Sequence, residues 1–127
     1  MRSRSQIYAQ KVYEQVSQLE KEWREEEPKR KYGSMAHRLP VLVRKAGLAQ
    51  ALAFVDSRGS EEQKKLLEHL AQVVGEGNAE ALLRKSREAE LPEYMRLTHE
   101  VLAALLWYKR FSQSVLGVEE GEKGGAE

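Results

Sequence analysis

The sequence predicts an all-α protein, a compact bundle of about six helices followed by a disordered, acidic C-terminal tail. Three observations carry that reading. Apolar residues recur at three- and four-residue spacing, and no run alternates with period two for long enough to form a strand. Ser, Asn, Pro and Gly stand where helices would start and stop. The chain has 127 residues, 41% hydrophobic and 32% charged. That is enough for one core, too apolar for a disordered chain and too polar for a membrane-embedded one.

The elements follow in order. Tyr8, Val12, Val16, Leu19 and Trp23 lie on one stripe of a first helix expected over residues 6–27, with Glu20 and Arg24 paired at i,i+4 on its wet side. Glu25-Glu26-Glu27-Pro28 should stop it, leaving Lys29-Arg30-Lys31 as a cationic connector. Ser34 can cap a second helix that Gly47 closes, and Leu48, Leu52 and Val55 carry the periodicity into a third that ends near Arg58-Gly59. Ser60 with Gln63 is a capping box for a fourth helix built on Leu66, Leu67, Leu70, Val73 and Val74. Asn78 can cap a short fifth. Pro92 suits the start of a sixth, long helix on which Leu97, Val101, Leu105, Tyr108 and Ser112 share a face, and which is expected to be central. Residues 1–116 read as a single helical domain and residues 117–127 as a disordered tail with too little apolar surface to offset its ordering.

Several chemistries are closed or unsupported. With no Cys there is no disulfide, thiolate metal site or cysteine nucleophile. Gly75-Glu76-Gly77-Asn78-Ala79-Glu80 begins like a dinucleotide fingerprint, but Glu80 stands where the third Gly belongs and no strand precedes it. His99-Glu100 has Ala103 where a zinc-protease motif needs its second His, and His37, His69 and His99 are scattered singly. Asp56 is the one Asp, so the convergent carboxylates of two-metal hydrolysis are missing. No catalytic residue, metal site or cofactor is expected. The basic start of the chain leads into alternating charge rather than an apolar leader, and no run approaches membrane-spanning length, so the expected location is the cytoplasm.

The net charge of +1 hides an uneven distribution. Between residues 29 and 58, Lys29, Arg30, Lys31, Arg38, Arg44, Lys45 and Arg58 face only Asp56, which suggests a polyanion partner. On a wheel with His37 at zero, Met35, Leu39, Leu42, Val43 and Ala46 form the core side of the second helix. His37, Arg38, Arg44 and Lys45 fall opposite, with Val41 among them. Such a face suits phosphate tracking, but a solvated surface or a protein contact remains open. Pro40 either bends this helix or leaves residues 35–39 as a separate turn.

The stretch Lys31-Tyr32-Gly33-Ser34-Met35-Ala36-His37-Arg38-Leu39-Pro40-Val41-Leu42-Val43-Arg44, followed by Gly47-Leu48-Ala49-Gln50-Ala51-Leu52-Ala53-Phe54, closely resembles the signature of the small α-helical subunit of type III-B CRISPR effector (Cmr) complexes. Tyr94-Met95-Arg96-Leu97-Thr98-His99-Glu100 and Leu105-Leu106-Trp107-Tyr108-Lys109-Arg110-Phe111 are similar to that family's C-terminal helix. The resemblance implies a non-catalytic subunit, present as several copies stacked head to tail beside the guide-holding backbone subunits, with the large subunit as a further partner. It also implies a part in holding target RNA on the CRISPR RNA in antiviral defence. Carried over position by position, the nucleic-acid-binding candidates are His37, Arg38, Arg44, Lys45 and Gln50, with Lys109 and Arg110 as additions. Trp107 and Tyr108 are candidates for base stacking, Tyr108 the weaker because it lies on the core stripe. Two rival readings remain: a helical adaptor whose basic face meets an acidic protein, and a stand-alone ribonuclease using His37 or His99.

Overall fold

The computed structural model describes residues 1–121, and these hold six helices and no strand: α1 Arg4–Glu22, α2 Glu26–Ala46, α3 Leu48–Arg58, α4 Glu61–Val73, α5 Ala79–Glu88 and α6 Leu91–Ser114. α1 opens on a second capping box, with Ser3 Oγ accepting from the Gln6 amide and the Gln6 side chain accepting from the Ser3 amide. Its stripe of Tyr8, Val12, Val16 and Leu19 is buried as the periodicity requires. The expected boxes and caps at Ser60–Gln63 and Asn78 are both formed. Gln63 does more than cap: it is fully buried, and its Nε2 donates to the Lys31 carbonyl at 3.1 Å, tying α4 to α2.

The first connection differs from expectation. α1 stops at Glu22 and α2 starts at Glu26, so the acidic run begins a helix instead of ending one, and Lys29-Arg30-Lys31 is helical. Pro28 explains both halves of this. In an unbroken helix its ring would clash with the Arg24 carbonyl, whereas in the first turn its missing N–H has no partner to lose. Glu26 and Glu27 then sit favourably at the helix N-terminus and pair with Lys29 (3.8 Å) and Arg30 (3.4 Å).

α2 runs unbroken through Ser34 and Pro40. Ser34 is therefore not a cap but a buried interior residue. Tyr32, Gly33, Ser34, Met35, Ala36 and His37 are all buried in succession, which means that this part of the helix is covered all round. α2 packs on α3, α4 and α6. α6, expected to be central, packs on α1, α2, α4 and α5, with one side left open to solvent.

The core also extends past residue 116. Leu116 and Val118 are buried, the Val118 amide donates to the Ser112 carbonyl at 2.8 Å, and the Val118 carbonyl accepts from His37 Nε2 at 3.0 Å. A methyl group at Gly33 would lie 2.6 Å from Val118 Cβ, so the strap needs a residue without Cβ beneath it. Val118 therefore belongs to the packed body and not to the tail expected from residue 117, and residues 122–127 lie outside the described residues.

A polar network joins α1, α2, α4 and α6 inside the bundle. The Tyr32 hydroxyl and His69 Nδ1 share a hydrogen bond (2.9 Å), Gln15 Nε2 donates to the His69 carbonyl (3.2 Å), and the Tyr108 hydroxyl donates to Gln15 Oε1 (2.5 Å). Burial holds both phenols protonated far above the usual range, and Coulomb repulsion from Tyr32 adds to this at Tyr108. Burial, reinforced by the Lys65 charge, pushes the His69 pKa down to about 4 against a smaller opposing pull from Glu22.

This packing makes stability depend on pH and on the space beneath the strap. His69 stays neutral in the fold while an unfolded chain protonates it below its ordinary value near 6.5, so its contribution is complete above that pH. Stability should decline between about pH 6.5 and 4, by up to roughly 3 kcal/mol from this group, and His69→Asn should flatten that part of a urea-denaturation series relative to the parent. Gly33→Ala should destabilise by about 1–3 kcal/mol through overpacking. In a Val118→Gly background the same change should become neutral or stabilising, since Ala is favoured over Gly inside a helix.

Candidate nucleic-acid interface

α2 passes into α3 with a single residue between them. Gly47 has φ 93°, a conformation that favours glycine, and serves both helices: its amide donates to Val43 and its carbonyl accepts from Ala51. The Ala49 amide, free at the start of α3, donates to the Tyr94 hydroxyl at 3.1 Å. This bond fixes the α2–α3 corner to the first turn of α6.

Arg44 and Lys45 stand exposed in the last turn of α2 and make no ion pair among the described residues. Gln50 is exposed in the first turn of α3, and Val41 (43% exposed) lies one turn before Arg44 and Lys45. Arg38 is half-buried, its guanidinium 5.5 Å from the centre of the Phe54 ring on α3. That cation–π contact bridges the two helices and orients the guanidinium. The corner thus presents Arg44, Lys45 and Gln50 to solvent, with Arg38 braced behind them.

His37 does not belong to this surface. The wheel places it opposite the core, but the strap at Leu116–Val118 crosses that side of α2 and buries it. Since a carbonyl can only accept, Nε2 carries the proton in the bond to Val118, and Nδ1 is buried without a partner among the described residues. Nor are Lys109 and Arg110 part of the corner. α6 runs antiparallel to α2, with Tyr94 beside Ala49 and Ser112 joined to His37 through Val118. Fifteen residues of helix, about 22 Å, separate Tyr94 from Lys109. Lys109 Nζ lies 3.6 Å from Glu120, while Arg110 is exposed.

The aromatic candidates are engaged within the protein. Tyr108 is buried in the polar network. Trp107 is half-buried, donates from Nε1 to Ser5 Oγ at 3.2 Å, and stacks on Phe111 with ring centres 5.6 Å apart. Phe111 in turn meets Tyr13 edge-on at 5.4 Å. Phe54 is the residue that sequence reasoning passed over. Its signal was its place seven residues after Gly47, opposite Arg38 nine residues before it, once α2 and α3 fold back on each other as a hairpin.

Among the described residues no group of three or more His, Asp or Glu side chains is placed to hold a metal ion. None of the helices is long and apolar enough to cross a membrane. What the corner supplies is fixed positive charge on a rigid helical turn.

Comparison with known proteins identifies the family of the chain. The family model described as CRISPR-associated protein (Cas_Cmr5) matches residues 4–115, from the start of α1 to the cap of α6. The chain is 54% identical over 116 residues to the CRISPR system Cmr subunit Cmr5 of Thermus thermophilus, covering 91% of this chain and 98% of that one. It superposes with a TM-score of 0.82 on the crystal structure of a CRISPR-associated Cmr5 family protein from the same organism, at 54% identity and with the same shares covered. Matched in sequence and in fold along nearly its whole length, the chain belongs to the Cmr5 family, the small subunits of Cmr CRISPR complexes.

Proposed function

We propose that the chain is a non-catalytic small subunit of a type III-B CRISPR effector complex, stacked in several copies along the body of the complex and helping to hold target RNA on the CRISPR RNA in antiviral defence in the cytoplasm. Its neighbours are then the backbone and large subunits and further copies of itself. One observation carries the RNA part of this reading: Arg44 and Lys45 are exposed and without an ion pair among the described residues, whereas Lys29 and Arg30 in the same helix are paired with Glu26 and Glu27. Unpaired cations on a rigid corner can neutralise phosphates without reading bases. Gln50, one turn away across Gly47, supplies donors and an acceptor for a sugar or phosphate. Lys109 and Arg110 form a second, separate basic site, partly neutralised by Glu120.

The test is salt dependence in the reconstituted complex, with RNA that matches the guide. Each phosphate contact on a single strand contributes about −0.7 to the slope of log affinity against log salt. Arg44→Ala/Lys45→Ala should therefore flatten the slope by roughly 1.4 and weaken unrelated target sequences about equally. An unchanged slope with normal assembly would mean that these charges meet protein carboxylates or water. The purified chain should leave RNA intact with or without magnesium, and cleavage abolished by His99→Ala would overturn the non-catalytic role.

A further inference from the structure

Among the described residues, seven large apolar side chains stand exposed, and three of them, Leu91 (67%), Met95 (53%) and Leu106 (48%), project from one helix. Half-buried Leu102 and Thr98 lie between them. At 100° per residue all five fall within about 80° of arc on α6, and their spacing of four, three, four and four residues is close to that of a coiled-coil seam. The seam is about 22 Å long. Thr98 does not interrupt it with an unsatisfied polar group, because its hydroxyl donates to the Tyr94 carbonyl of its own helix. Scattered exposed leucines need no explanation, but a straight apolar line on an otherwise charged surface marks a contact.

Among the described residues beside the seam, the basic Lys109 and Arg110 stand against Glu120. α6 carries two carboxylates, Glu93 and Glu100, and both are held by Arg96, which lies well off the seam; Glu100 is also buried against α1 beside Arg4. The exposed outer side instead carries Arg110, with Lys109 and its partner Glu120 at the far end. At its near end the seam starts beside the basic corner, because Tyr94, between Leu91 and Met95, is bonded to Ala49.

We propose that this outer face of α6 docks an amphipathic helix of a neighbouring, different subunit, with an apolar stripe that fits the seam and carboxylates along its edges. A helix is the shape that fills a straight seam of this spacing, and the flanking cations select acidic edges. Phosphates would satisfy the cations but leave the four apolar side chains in water, which argues against RNA as the occupant. The proposal rests on the assembly part of the reading above and is independent of its RNA part.

The experiment compares assembly of the full-length chain with the co-expressed protein subunits of its own complex, without target RNA. Met95→Glu/Leu106→Glu places two carboxylates in the seam and should reduce incorporation at least about tenfold, while Arg44→Ala/Lys45→Ala should assemble as the parent does. Met95→Gln/Leu106→Gln, with helix content checked by circular dichroism, should show the same loss to a smaller degree and guards against misfolding. Amides of residues 91–106 should gain protection from hydrogen exchange on assembly. Parent-like incorporation of both seam variants would overturn the proposal. So would a parent that is a dimer by itself and becomes monomeric in the seam variants, since the occupant would then be a second copy. Loss of RNA binding by the seam variants with assembly intact would overturn it too, and would leave the corner's salt slope as a separate result.

Discussion

The complete burial of α2 between residues 32 and 37 is the constraint on which the rest of the structure depends. A helix covered on every side must satisfy each neighbour at once: Tyr32 reaches His69 on α4, Gly33 admits the C-terminal strap, and Lys31 gives its carbonyl to Gln63. Pro40 removes one backbone donor in the same helix, yet the helix continues, and Leu39, Pro40 and Val43 are all buried around that point. The packing of this helix sets its direction more firmly than the missing hydrogen bond weakens it. Continuity through Pro40 is also what brings Arg38, Arg44 and Lys45 onto one rigid rod ending at Gly47.

Polar groups inside such a bundle have to be paired, because an unpaired buried donor or acceptor costs about 1–3 kcal/mol. The Tyr32–His69 and Tyr108–Gln15 bonds meet that demand and at the same time fix the relative positions of four helices. The exceptions are informative. His37 Nδ1 and Ser112 Oγ are buried without partners among the described residues, and both residues hold the strap, His37 at the Val118 carbonyl and Ser112 at its amide. The strap therefore gains two hydrogen bonds at the Val118 backbone, one of them from the His37 side chain, and the burial of two apolar side chains against two unsatisfied side-chain atoms. The placement of His37 depends on it.

What was legible in the sequence was local. The capping box at Ser60–Gln63, the glycine at position 47 and the stripes of α1 and α4 are set by residues within a few positions of each other, so pattern alone finds them. Glu25-Glu26-Glu27-Pro28 misled because acidic residues before a proline suit the end of one helix and the first turn of the next equally well. Ser34 misled because an interior serine and a capping serine look alike until the neighbouring helices are in place. The strap was illegible for a deeper reason: Leu116 and Val118 are sparse apolar residues next to an acidic stretch, and their burial depends on Gly33 some 85 residues earlier. His37 was misplaced with them. The cations at Arg44 and Lys45 were legible as a surface, while the split between that corner and Lys109–Arg110 required the antiparallel arrangement of α2 and α6.

The two outward surfaces differ in the physics they offer, and that difference bears on how such a subunit works. The corner has charge with little apolar area beyond Val41, which gives attraction that is long-ranged, tolerant of sequence and weakened by salt. The α6 seam has apolar area with charge only at its edges, which gives contact that is short-ranged, dependent on shape and largely indifferent to salt. If the two surfaces act as proposed, salt that releases the nucleic acid leaves the protein contact in force. The Ala49–Tyr94 hydrogen bond joins the two surfaces at one point, so that a chain seated by its seam holds its corner in a fixed position and orientation.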